Sequence, residues 1–167
     1  MNIRRFAVIV NPRGGKRNGI QVLDRVRHIF ESAQLELEIR VTERAGHATE
    51  IVRNLDLKQL GGICVVGGDG TCHEVANGLM QRDDSTSVPL GIIPAGTGNS
   101  LAQHLDCQDP IEAARRVVAG RLIARIGKPD STCTLKHANV YAGFPAARSR
   151  CPSWRNQAVC DRVAQPP

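Results

Sequence analysis

Three times in its first hundred residues the chain passes from a short, unbroken apolar run into a glycine-rich turn and out again into a helical repeat. Residues 6–10 end in Asn11, Pro12, Arg13, Gly14 and Gly15; residues 63–66 end in Gly67, Gly68, Asp69, Gly70 and Thr71; residues 90–93 end in Pro94, Ala95, Gly96, Thr97, Gly98 and Asn99. Runs this short, apolar and β-branched read as buried strands, and the turns punctuate them. Helical spacing follows the first two turns, through Ile20, Leu23, Val26, Phe30 and Ala33, then through Cys72, Val75, Ala76 and Leu79. Ser100 opens a shorter helical stretch after the third.

The intervening segments complete the pattern. Residues 35–41 alternate strictly between apolar and charged, as in a half-exposed strand toward a sheet edge. After Gly46, the set Ala48, Ile51, Val52 and Leu55 has helical spacing. Asp109, Pro110 and Glu112 mark a helix start that should run to Gly120, before a last strand at 122–126. The expected fold class is α/β: a mostly parallel sheet with helices on both faces and the first strand central. Ligands bind such sheets at the carboxyl ends of the strands, the edge where all three turns fall.

Composition divides the chain in two. Residues 1–126 hold 16 basic and 14 acidic side chains, whereas residues 127–167 hold 6 and 2. The tail has a single Leu, Leu135, five of the nine prolines and no strand or helix periodicity, so it is expected to be irregular or disordered. Among the six cysteines no C-x-x-C pair occurs, and Cys64 lies inside an apolar run where a free buried thiol is usual. With neither a signal peptide nor a membrane span, a cytoplasmic chain with reduced cysteines is expected. The near balance of charge in residues 1–126, without an aromatic platform, argues against nucleic-acid binding.

A turn that brings backbone N–H groups to a phosphate needs residues without Cβ, and the helix N-terminus behind it adds positive potential. Gly67, Gly68 and Gly70 suit that task. Asp69 would repel a phosphate unless a divalent cation such as Mg²⁺ lay between them, although Gly-Asp-Gly is also ordinary turn chemistry. Thr71 and Glu74 have the spacing of a capping box, which accounts for both without a ligand. His73, Glu74 and Asn77 share a polar helix face, Thr97 offers a hydroxyl to a phosphate or a turn, and Asn99 reads as a helix cap. His47 reads equally as a solvated first-turn residue or as a functional one.

Together, the Asn11 to Gly15 turn, Thr42 followed by Gly46, His47 and Ala48, the Gly67 to Thr71 turn with Glu74 and Asn77, and the Pro94 to Asn99 turn resemble the ordered motifs of the diacylglycerol kinase catalytic-domain family. That family includes sphingosine kinases and bacterial lipid kinases. The resemblance runs from residue 3 to about residue 126 and implies an ATP-dependent kinase acting on a lipid hydroxyl, diacylglycerol or a sphingoid base, with transient contact at a membrane surface. By the same resemblance Asn11, Gly14 and Thr42 would contact the nucleotide, and Gly67, Gly68, Gly70 and Thr71 would cradle its phosphates. Glu74 and Asn77 would shape the site, Thr97 would bind phosphate, and Asp69 would act catalytically, with Mg²⁺ or near the attacking hydroxyl. Ser100 stands where many diacylglycerol-type members carry an acid, which leans toward the sphingoid-base type. The family's β-rich C-terminal domain has no counterpart in residues 127–167, so the expectation is a nucleotide-binding domain at 1–126 and a truncated or frame-shifted tail. A non-catalytic ATP-binding remnant is one alternative. NAD kinase shares the GGDG turn, but the Asn-Pro-x-x-Gly and Gly-Thr-Gly-Asn motifs argue against it.

Overall fold

The computed structural model describes residues 4–15, 18–84, 86, 88–120 and 123–126. The readings of residues 127–167 lie outside it. Strands β1 (Arg4–Val10), β2 (Leu35–Val41), β3 (Leu60–Gly67), β4 (Val88–Pro94) and β5 (Ile123–Ile126) form one sheet in the order β2-β1-β3-β4-β5. β1 to β4 are mutually parallel. The alternating strand β2 lies at the edge, as its half-exposed pattern requires, and β1 is interior although β3 takes the middle place. β5 closes the opposite edge antiparallel to β4, pairing Leu90 with Ala124.

Between the strands run α1 (Gly19–Ser32), α2 (His47–Asn54), α3 (Asp69–Met80), α4 (Ser100–His104) and α5 (Pro110–Val118), with a short 3-10 turn at Leu57–Gln59. Alternation along the strands sorts their side chains between two layers. Phe6, Val8, Val10, Cys64, Val66 and Ile93 share one core with α1, through Val26 and Phe30, and with α5, through Ala113 and Val117. Ala7, Ile9, Ile63 and Val65 point the other way and are also fully buried. α3, with Val75 and Leu79 buried, packs on β3, and α2, with Ala48 and Val52 buried, packs on α3. Burial of each Val, Ile or Phe among them is worth about 1.5–3 kcal/mol before the entropy of ordering it.

Local signals account for several element ends. Asp109 caps α5 by accepting a hydrogen bond from Glu112 N at 2.9 Å, Pro110 follows it, and Gly120 turns the chain away at φ 70°. Among the described residues no helix is long and apolar enough to cross a membrane.

Candidate functional site

Parallel pairing of β1, β3 and β4 brings the three glycine-rich turns to one edge, and there they touch. A Cβ on Gly15, which has φ +55°, would lie 2.8 Å from Ala95 O, and one on Gly96 would lie 2.5 Å from the Cα of Gly68. Only glycine permits either approach. Ala95 N donates to Gly67 O at 2.9 Å, joining the second turn to the third. Asn99, left-handed at φ 49°, locks the third turn on itself, its Oδ1 accepting from Gly96 N and its Nδ2 donating to Gly96 O, each at 2.8 Å.

Asn11 ties the first turn to the second. Its backbone N donates to Val66 O at 3.0 Å, its Nδ2 donates to Thr71 Oγ1 at 3.0 Å, and its Oδ1 accepts from Arg13 N at 2.9 Å. Gly14 N donates back to Asn11 O at 3.2 Å. Thr71 is buried directly beneath Gly67, where a Cβ would meet its hydroxyl at 2.8 Å. Gly70 is different: a Cβ there would meet nothing within 4 Å. In the middle turn, therefore, Gly67 and Gly68 are demanded by packing, and Gly70 faces open space.

The capping box expected from Thr71 and Glu74 does not form. α3 starts at Asp69 with Gly68 as its N-cap, so Thr71 is already inside the helix and its hydroxyl serves Asn11. Glu74 instead reaches across to α2, where its Oε2 accepts from Ala48 N at 3.2 Å. Asp69 behaves in the same way toward α4: its Oδ2 accepts from Ser100 N at 2.9 Å and its Oδ1 from Leu101 N at 3.0 Å. Both acids of α3 thus cap helices other than their own. Sequence spacing carries no signal of this, because the partners lie 26 and 31 residues away.

The other expected site residues scatter more widely. Thr42 is buried at the end of β2 and donates its N–H to Val10 O at 2.8 Å. Thr97 is exposed at the tip of the third turn. Asn77 lies about 12 Å along the α3 axis from Asp69, and its Nδ2 pairs with His73 Nε2 at 3.1 Å. Nδ1 of His47, at the partly exposed first turn of α2, accepts from Glu43 N at 3.1 Å and so ties down the segment before the helix.

Beneath the turns the interior is apolar. Burial, and then the nearby Asp69 charge, push the Cys72 thiol up to about 12, and burial raises Cys64 as well, so neither is a nucleophile at neutral pH. Asp69 is the single carboxylate of the three turns. Among the described residues no group of three or more His, Cys, Asp or Glu gathers as a metal cage. Mg²⁺ does not need one, since it commonly takes one or two protein carboxylates and completes its shell with phosphate and water. Each Asp69 oxygen accepts one backbone N–H and keeps a lone pair, so the residue fits that role.

Residues 5–126 match the family described as Diacylglycerol kinase catalytic domain. Sphingosine kinase 1 of Homo sapiens is 42% identical over 106 residues, covering 61% of this chain and 28% of that protein. Sphingoid long-chain bases kinase 1 of Arabidopsis thaliana is 42% identical over 126 residues, covering 72% of this chain and 16% of that one. The crystal structure of a diacylglycerol kinase from Bacillus anthracis str. Sterne aligns with a TM-score of 0.62 at 30% identity, covering 72% of this chain and 43% of that chain. The chain spans less than a third of the length of these two curated relatives.

Proposed function

Because this chain belongs to the diacylglycerol kinase catalytic-domain family, we propose that residues 1–126 are the nucleotide-binding domain of a lipid kinase, which transfers the γ-phosphate of ATP to a lipid hydroxyl. The observation that carries this reading is the contact of the three turns around Gly68 and Gly96, with Gly70 left facing open space at the start of α3. The first N–H groups of α3, including those of Asp69 and Gly70, have no acceptor within the helix. They and the helix dipole would meet the phosphates there. Phosphoryl transfer asks chiefly for positioning and charge neutralisation, which such a cradle supplies. Asp69 would hold Mg²⁺, whose charge offsets that of the phosphates when bound. Asn11 would keep the first turn fixed against Thr71 while the nucleotide enters.

The proposed lipid is a sphingoid base, met at a membrane surface. The 42% identity to human sphingosine kinase 1 and Ser100 after the third turn support it. Labelled ATP, Mg²⁺ and the full chain, offered sphingosine, diacylglycerol and NAD in parallel, should yield labelled sphingosine phosphate. Label on NAD, or no binding of ATP, would refute the reading; ATP binding without transfer to any acceptor would reduce it to a nucleotide-binding module.

A further inference from the structure

The sheet ends on one side at β2, whose strand neighbour among the described residues is β1 alone. The two pair in one unbroken parallel register, from Arg4 with Leu35 to Val10 with Val41. Along its other side β2 therefore presents a row of N–H and C=O groups with no strand against them. Proteins blunt such an edge with proline, lysine, a bulge or a charge turned toward the core. β2 has none of these: the residues it turns to the core are Leu35, Leu37 and Ile39. The core is unfinished there. Those three side chains are only partly buried, whereas Phe6, Val8 and Val10 beside them on β1 are buried, and Val41 at the end of the row is 41% exposed.

What fits that edge follows from the order of its side chains. The strand has nearly the same pattern read from either end: apolar at 35, 37, 39 and 41, with Glu36 and Arg40 placed symmetrically about Glu38. Laid antiparallel against a second copy, with the dyad at Glu38, Leu35 faces Val41, Leu37 faces Ile39 and Glu36 faces Arg40, each twice by symmetry. Glu38 meets its own counterpart, but Arg40 Nε of the same strand already donates to it at 3.0 Å, and Arg5 of β1 pairs with Glu36 at 3.0 Å. Arg5 and Arg40 thus balance Glu36 and Glu38 in each copy. Other registers are worse. A one-residue slip sets apolar side chains against charged ones, centring on Leu37 sets Glu36 against Glu38 twice, and centring on Ile39 leaves Leu35 and Glu36 beyond the end of the facing strand. We propose that β2 is a self-association edge, through which two copies of this chain join antiparallel along residues 35–41 into one continuous sheet. The copies run in opposite directions, so their glycine turns lie at opposite ends of that sheet, and the inference stands apart from the kinase reading.

Analytical ultracentrifugation of the full chain, in reductant so that its six cysteines form no cross-link, should show a dimer that dissociates on dilution. Hydrogen exchange at the amides of residues 35–41 should slow as the concentration is raised. Arg40→Glu sets Glu against Glu36 of the second copy and Glu36→Arg sets Arg against Arg40, so each should raise the dimer Kd at least ~10-fold. An equimolar mixture of the two variants should associate like the unaltered chain, because every facing pair is then opposite in charge. Both side chains are about half exposed, so each variant should melt near the unaltered chain. The proposal is overturned by a monomer at every concentration, by a dimer indifferent to both substitutions, or by folded variants whose mixture does not associate. Exchange at 35–41 that ignores concentration overturns it too, and that measurement decides the matter even if a variant fails to fold.

Discussion

Gly70 and Gly96 differ in what surrounds them: one faces open space, the other faces backbone. Gly96→Ala would drive a methyl to 2.5 Å from the Cα of Gly68, and overpacking of that kind costs about 1–3 kcal/mol. Gly70→Ala meets nothing and replaces glycine in a helical turn, so stability should hold or rise by about 0.5–1 kcal/mol. Its ATP affinity should nevertheless fall at least ~10-fold, because the methyl occupies the phosphates' approach. Urea denaturation and ATP titration of the two variants check this; a destabilised Gly70→Ala that binds ATP normally would contradict it. Asp69 separates two roles in the same way. Asp69→Ala removes both hydrogen bonds to the start of α4 and should cost about 1 kcal/mol. Asp69→Asn keeps an acceptor and should melt close to the unaltered chain, yet neither variant should transfer phosphate. Glycines and the acid at this turn are visible in the sequence. That Asp69 and Glu74 cap α4 and α2 is not, since a spacing rule such as T-x-x-E describes only the helix on which it is written.

At the scale of elements, what is legible depends on whether the signal is local. α5 carries its own: Asp109 as cap, Pro110 after it and Gly120 beyond its end, and the helix lies where those residues put it. Asp109→Ala should therefore lower stability by about 1 kcal/mol in urea denaturation and leave ATP affinity unchanged, since the hydrogen bond it removes lies within the start of α5 itself. The strict alternation of β2 likewise announced an edge strand. α3 begins two residues before Thr71 because its cap is Gly68, which has no side chain to betray it. β5 shows the other limit. Its four residues have a strand's composition, but nothing in them states a direction, and the chain leaving α5 brings it in antiparallel to β4.

Across the described residues β1, β3 and β4 are buried on both faces, and Cys64 and Cys72 lie in that interior. Burial keeps protons on these thiols that the unfolded chain gives up near pH 9, with Cys72 pushed up to about 12. Their contribution to stability is complete below pH 9 and is lost progressively as the pH rises toward 12. Denaturation midpoints measured from pH 8 to 11 should fall accordingly, and Cys72→Ala should flatten the fall; an unchanged slope would show that the thiol is not shielded. The sequence by itself determined the α/β class, the edge position of β2 and the placing of three glycine turns at the carboxyl ends of strands, because periodicity and turn chemistry act over a few neighbouring residues. Only the tertiary structure decided that the turns touch, which glycine stays open, and which helices Asp69 and Glu74 cap. Those outcomes depend on strand order and on approaches between residues about 20 to 80 apart in the chain, where backbone hydrogen bonds and close packing, rather than local propensity, choose the partner.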